Sequence, residues 1–288
     1  MTPVKRVSVI STGSVRIRPQ HEKSNGLPTI WWLLTSRRWT PPRPINVYVI
    51  EHERGLVVFD TGQDRRSVID PEYFPDGLVG FLYRRLARFA IREQDTLTEG
   101  LRAQGYRASD VTLVVLSHLH QDHIGGLAEL SDAEIVVSAA EWATLSHPFA
   151  PVNGLLREHI ELPGLRWNRV TLEATADAAL LPFRNARDLF GDGSVVLLPT
   201  PGHTPGSLSL LVRQAGHPPI LLVGDLTYDV RNLEKLAVPG IGRHAALVRS
   251  SRDVNDFVDR WPGTVVLAAH DPAAAGLLES AWASVIEP

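Results

Sequence analysis

The chain has 288 residues, 44% of them hydrophobic and 21% charged, which is enough to bury a sizeable core in one large domain or two small ones. A net charge of −3, with no dense block of Lys or Arg, argues against nucleic acid as a partner. The absence of cysteine excludes thiolate catalysis, disulfides and the Cys-containing zinc sites.

The N-terminus carries Lys5 and Arg6 but only a short apolar stretch over 7–10, too short for the core of a signal peptide, and no run approaches transmembrane length. A cytoplasmic protein without membrane insertion is the expectation. Strands are predicted over 4–10, 45–50 and 56–59 from their β-branched content, with Asp60-Thr61-Gly62 closing the last hairpin. Before the first hairpin, Trp31, Trp32, Leu33, Leu34 and Trp39 form an aromatic-rich stretch, a candidate pocket wall or homodimer contact. Leu82, Leu86, Phe89 and Ala90 have helical spacing, with Arg84, Arg85, Arg88 and Arg92 largely on other faces. That segment reads as a surface helix with a solvated basic side; a lid or a dimer contact is the alternative. Thr96 and Glu99 form a capping-box pattern at the start of a helix that Gly105 ends.

A strand over 111–116 then leads into Ser117-His118-Leu119-His120-Gln121-Asp122-His123. A short helix from Gly125, a strand over 134–138 and an irregular Pro/Gly excursion over 148–163 follow. The apolar runs 195–198 and 208–212 flank a Pro/Gly-rich turn carrying His203, 220–223 leads to Asp225, and 265–269 leads to His270. Strands alternating with helices imply an α/β protein of packed sheets and outer helices.

Four candidate metal ligands within the six positions 118–123 are more than local capping of a strand requires. Side chains alternate along a strand, so His118 and His120 at its end would project to one side, and the following turn could swing Asp122 and His123 toward a second point. Imidazole and carboxylate donors suit zinc and other divalent first-row metals, and a two-metal site needs about six or seven protein ligands. His203, Asp225 and His270, each following an apolar run, complete that number. Because the seven residues spread from 118 to 270, a boundary inside that range would split the site, so a single domain over 1–288 is expected. Asp60 reads equally well as a turn residue or as a partner that orients a ligating histidine.

Together, the His118-x-His120-x-Asp122-His123 motif, Asp60-Thr61-Gly62, His203 in Gly-His-Thr-Pro-Gly, Asp225 and His270 resemble the motif set of the metallo-β-lactamase superfamily. The resemblance implies an αββα sandwich of two mixed β-sheets flanked by helices, with the site at one edge of the sheets. It implies that His118, His120 and His203 hold one metal, that Asp122, His123 and His270 hold the other, and that Asp225 bridges them. The cofactor expected is a pair of divalent ions, zinc first, with Mn, Fe or Co able to fill such a site. A bridging carboxylate disfavours true β-lactamase activity.

Tyr228, three residues beyond Asp225, the strand over 47–50 and Asp271 after the last histidine resemble the N-acyl homoserine lactonases of this superfamily. That resemblance implies a small-molecule lactone substrate opened by hydroxide held between the metals. Tyr228 would assist the oxyanion, and Asp122 would protonate the leaving alkoxide. Gln121 departs from the pattern, since that group often has an apolar or aromatic residue there, and the departure bears on the acyl-chain environment. Other ester, thioester or phosphotriester hydrolases with the same site, and a non-catalytic metal-bound sensor, are the competing readings. The absence of Lys and Arg from 271–288 weakens a glutathione thioesterase, and seven filled ligand positions weaken an inert role.

Overall fold

Central strands buried on both faces dictate the layering. The computed structural model describes residues 3–283. One sheet contains β1 (Val4–Ile17), β2 (Arg43–His52), β3 (Gly55–Phe59), β4 (Ala87–Ala90), β5 (Val111–Val115), β6 (Glu134–Ser138) and β7 (Arg166–Val170), in the order β4-β1-β2-β3-β5-β6-β7. The other contains β8 (Glu173–Ala174), β9 (Asn185–Asp188), β10 (Val195–Pro199), β11 (Leu208–Val212), β12 (Ile220–Leu222) and β13 (Val265–Leu267), in the order β13-β12-β11-β10-β9-β8. Both sheets are mixed: β3, β5, β6 and β7 run parallel in the first and β12 with β13 in the second, while other pairs such as β1 with β2 and β10 with β11 are antiparallel.

Val57 and Phe59 of β3 meet Val195 and Leu197 of β10 and Leu208 and Leu210 of β11 between the sheets. The alternate residues face outward: Leu56 and Val58 pack under Leu97 and Leu101 of the helix Leu97–Ala103. Val196, Leu198 and Leu211 pack under Leu247, Val254 and Phe257 of the helix His244–Arg260. Strand faces that are apolar on both sides require cover on both, and helix, sheet, sheet, helix is the arrangement that supplies it. The αββα sandwich expected from the sequence is the architecture present.

Three sequence expectations change. The helix placed over 82–90 spans Gly77–Leu86, and Ala87–Ala90 instead forms β4, paired with the last residues of β1. β1 itself extends well past residue 10, which creates the edge that β4 completes. The basic side of that helix is also not simply solvated. Arg85 donates to the carbonyls of Leu33, Leu34 and Ser36, tying down the end of the helix Thr29–Thr35. In the aromatic stretch, Trp32 and Leu33 are buried, Trp31 and Leu34 are exposed, and Trp39 lies between the guanidinium groups of Arg18 and Arg88 at 3.6 and 4.5 Å. The Thr96 cap forms, its hydroxyl accepting the Glu99 N–H, and Gly105 follows at φ +88°. Among the described residues no helix is long and apolar enough to cross a membrane. Met1, Thr2 and residues 284–288, the end of the stretch without Lys or Arg, lie outside the described residues.

Candidate metal centre

The site lies where strands of both sheets end. β5 stops at Val115, and His118 and His120 occupy the loop before the short helix Gln121–Ile124, so they do not project from a strand as the alternation argument held. The cause is Asp60, at φ +60° just past β3, whose backbone N–H donates to Val115 O at 2.8 Å. Its carboxylate accepts the Ser117 N–H at 2.7 Å, the Ser117 hydroxyl at 2.8 Å and His123 Nδ1–H at 2.8 Å. Ladder hydrogen bonds thereby give way to side-chain ones, and the chain turns so that the histidines converge. Of the two readings of Asp60, its geometry is that of a histidine-orienting group.

His118, His120 and His203 form one donor triad, and Asp122, His123 and His270 a second, each with its ligand atoms within 4.8 Å of one another. Asp225 stands between them: Oδ2 is 3.6 Å from His203 Nε2, while Oδ1 is 3.3 Å from His123 Nε2 and 3.4 Å from His270 Nε2. Most of the outward nitrogens are occupied, His203 Nδ1 being the exception. His120 Nε2 lies 3.0 Å from Asn153 O, His270 Nδ1 2.9 Å from Pro44 O, and His118 Nδ1 2.9 Å from the Ser117 hydroxyl. Such contacts fix ring orientation and leave the other nitrogen for a ligand. Gly154, at φ +94°, lets the 148–163 excursion approach that closely, since a Cβ there would lie 2.7 Å from the His120 ring.

The donor set fits divalent cations. His123 Nε2, His270 Nε2 and Asp225 Oδ1 are buried in the centre without any hydrogen-bond partner, an expensive arrangement unless something coordinates them. Burial opposes the charged form of His123, but Asp225 and Asp60 on either side outweigh it and hold the ring well above the ordinary imidazole value. Burial, reinforced by the neighbouring histidines, pushes His118 well below that value, and burial does the same to His203. Burial also opposes ionisation of Asp225, yet His270 and His123 hold it well below the usual carboxylate range. Coordination needs a bare Nε2, so a cation entering the cluster must displace the proton that the two carboxylates hold on His123. Zinc titration of chelator-treated protein in weak buffer at neutral pH is therefore expected to release protons, with affinity rising as pH rises; pH-independent binding with no release would contradict this arrangement.

Sequence reasoning missed three residues that assemble the site. Glu141 is fully buried and burial raises its pKa; it accepts from Leu119 N–H, the Thr204 hydroxyl and Gly206 N–H, linking the His118 and His203 loops. Arg43 donates to the backbone carbonyls of Tyr228 at 2.8 Å and His270 at 3.3 Å and pairs with Glu22. His21 meets Tyr228 Oη at 2.9 Å, and Tyr228 donates to Asp225 Oδ2 at 2.6 Å. None of the three carries a local sequence signal. Their spacing from the motif residues is long, and only the buried charge of Glu141 and Arg43 would have drawn attention.

A cavity of about 970 Å³ opens from the His/Asp cluster and is lined by His120, Asp122, Asp225 and Tyr228 together with Ile17, Leu33, Leu82, Leu86 and Phe89. Of the aromatic-rich N-terminal stretch only Leu33 lines it; Leu82 to Phe89 contribute more. Gln121 does face the cavity, with Oε1 held by His159 Nδ1 at 2.6 Å and by the Tyr73 hydroxyl at 3.3 Å.

The family model of the metallo-β-lactamase superfamily matches residues 40–278, which contain every proposed ligand. The chain belongs to the metallo-β-lactamase superfamily. Among superfamily relatives, it is 31% identical to the N-acyl homoserine lactonase AttM of Rhizobium radiobacter over 234 residues, 80% of this chain and 83% of that one. An N-acyl homoserine lactonase from a Bacillus species is 30% identical over 213 residues, 72% of this chain and 73% of the relative. A solved N-acyl homoserine lactone hydrolase, with N-hexanoyl-L-homoserine bound at its catalytic metal centre, matches at 25% identity and a TM-score of 0.73, covering 93% of this chain and 94% of its own.

Proposed function

We propose that this chain is a dinuclear metal-dependent lactonase that opens the ring of N-acyl homoserine lactones. The observation that carries the reading is Asp225, whose two oxygens face the two histidine groups with Tyr228 donating to one of them in the lining of an apolar cavity. Sandwich and motifs alone would leave the substrate open, because one fold hosts many chemistries. The similarity to lactonases over most of both chains narrows it.

Bound at the two donor triads, divalent cations supply a water-derived nucleophile at neutral pH and a Lewis acid for the carbonyl. The residues do the rest. The cavity walls take up the acyl tail and exclude water from the ester. The Tyr228 hydroxyl donates to the carbonyl oxygen as negative charge develops on it. Asp122, in the cavity lining with a carboxylate oxygen 3.3 Å from His270 Nε2, accepts the proton lost by the attacking water and returns it to the ring oxygen as the C–O bond breaks. Asp60 holds His123 and takes no part in bond making. The product is an N-acyl homoserine whose new carboxyl group releases a proton.

The test is acid release at constant pH from zinc-loaded protein, across N-acyl homoserine lactones of increasing chain length, beside a chromogenic phosphotriester and a thioester. Saturable ring opening that exceeds the other two by orders of magnitude is expected. No lactone turnover with two metals bound would sink the reading. Gln121 sets a narrower expectation. Gln121→Leu would add about 40 Å² of apolar contact to an acyl tail, about 1 kcal/mol at about 25 cal/mol per Å², and shift selectivity roughly fivefold toward longer chains. An unchanged chain-length profile would show that tails pass elsewhere in the cavity.

A further inference from the structure

His21 packs against the His/Asp cluster but belongs to neither donor triad. It sits in the short helix Pro19–Glu22, buried at 7% exposure, with its ring stacked on His203 at 6.5 Å and edge-on to Tyr228 at 5.1 Å. Its backbone carbonyl accepts Gly240 N–H at 3.0 Å, and its neighbour Glu22 pairs with Arg43, which also holds the Tyr228 carbonyl. His21 and Tyr228 are thus fixed to a common anchor, although 207 positions separate them.

Proton counting decides what the contact is. A tyrosine hydroxyl has one proton and can donate once. Tyr228 Oη lies 2.6 Å from Asp225 Oδ2 and 2.9 Å from His21 Nε2, and an ionised carboxylate can only accept. The Tyr228 proton therefore goes to Asp225, and the contact with His21 must be an N–H donated by the imidazole. His21 Nδ1 is then the bare nitrogen, in keeping with its lack of any partner. The opposite tautomer would bury an N–H without an acceptor and leave two acceptors competing for one phenol proton.

We infer that His21 is a positioning residue for Tyr228: its Nε2–H occupies a lone pair of the Tyr228 oxygen and keeps the phenol proton aimed at the metal and substrate side of the site. The inference rests on the reading of Tyr228 as the oxyanion donor. When Asp225 is engaged elsewhere, a hydroxyl facing a bare imidazole nitrogen would turn to it and be lost to the substrate. Facing an N–H, it has no such option. Donation into the oxygen also polarises the O–H and strengthens it as a donor.

The imidazole nitrogens of the zinc-loaded and chelator-treated wild-type protein can be read directly by 15N NMR, with the Nε2–H tautomer of His21 expected in both. His21→Phe keeps a ring against Trp32 and His203 but removes the donor; kcat is expected to fall about 10-fold, with KM and zinc content nearly unchanged. His21→Gln, which places an amide N–H near the same point, should recover most of that loss. In a Tyr228→Phe background His21→Phe should cost almost nothing further, since its effect runs through the missing hydroxyl. The inference is overturned by an Nδ1–H tautomer with a bare Nε2, or by an equal loss in both backgrounds. A Tyr228→Phe protein with undiminished kcat would be a different pattern, defeating the oxyanion reading and the role of His21 together.

Discussion

On the dinuclear reading, Asp225→Asn protein is expected to hold about one zinc per chain in place of two, and to open lactones at least about 10³-fold more slowly. Asparagine preserves the shape of the side chain and one acceptor oxygen, so the change is nearly one of charge alone. In the parent, Oδ2 faces His203 while Oδ1 faces His123 and His270. An amide nitrogen cannot coordinate, so one of the two histidine groups would lose its share of the Asp225 carboxylate. Loss of one cation's charge stabilisation, about 4 kcal/mol, corresponds to that decrease in rate. Elemental analysis and circular dichroism separate this from misfolding: metal should fall while the spectrum stays. Two bound zinc ions with parental turnover would mean that Asp225 is structural and that its bridging role fails.

Much of this site was legible because every proposed ligand follows an apolar strand, and strands end where a layered α/β protein builds its sites. His118 to His123 follow β5, His203 follows β10, Asp225 follows β12 and His270 follows β13. The metal-ligand types are scarce enough in apolar surroundings that their placement shows through. The path of the backbone was less legible. Expecting His118 and His120 on a strand failed because the Asp60 carboxylate, 57 residues away, replaces the ladder at Ser117. Reading 82–90 as one helix failed for a related reason, since Phe89 and Ala90 fit the helical spacing but find a partner in β1, whose extension the sequence pattern did not show. β7 and β9 are largely exposed and so leave no hydrophobic pattern to read. His21, Arg43 and Glu141 escaped because their roles come from contacts across long separations, and a lone buried polar side chain has no periodicity.

Tyr228→Phe is expected to lower kcat about 10²-fold to 10³-fold with little change in KM, the loss typical when one oxyanion donor is removed. The hydroxyl is poised for that role by more than position. Burial, and then the carboxylates of Asp225 and Asp122, push its pKa well above that of a free phenol. Its proton is the one donated to Asp225 Oδ2. Phenylalanine keeps the ring stacked on His270, 5.3 Å away between centroids, so the histidine is not released by the substitution. On the proposed reading the acyl tail lies against the cavity walls, none of which change, so substrate affinity has no reason to follow kcat. A parallel rise in KM would place Tyr228 in substrate binding instead. An unaltered kcat would assign its hydroxyl to holding Asp225 alone, leaving oxyanion stabilisation to the metal side of the cavity.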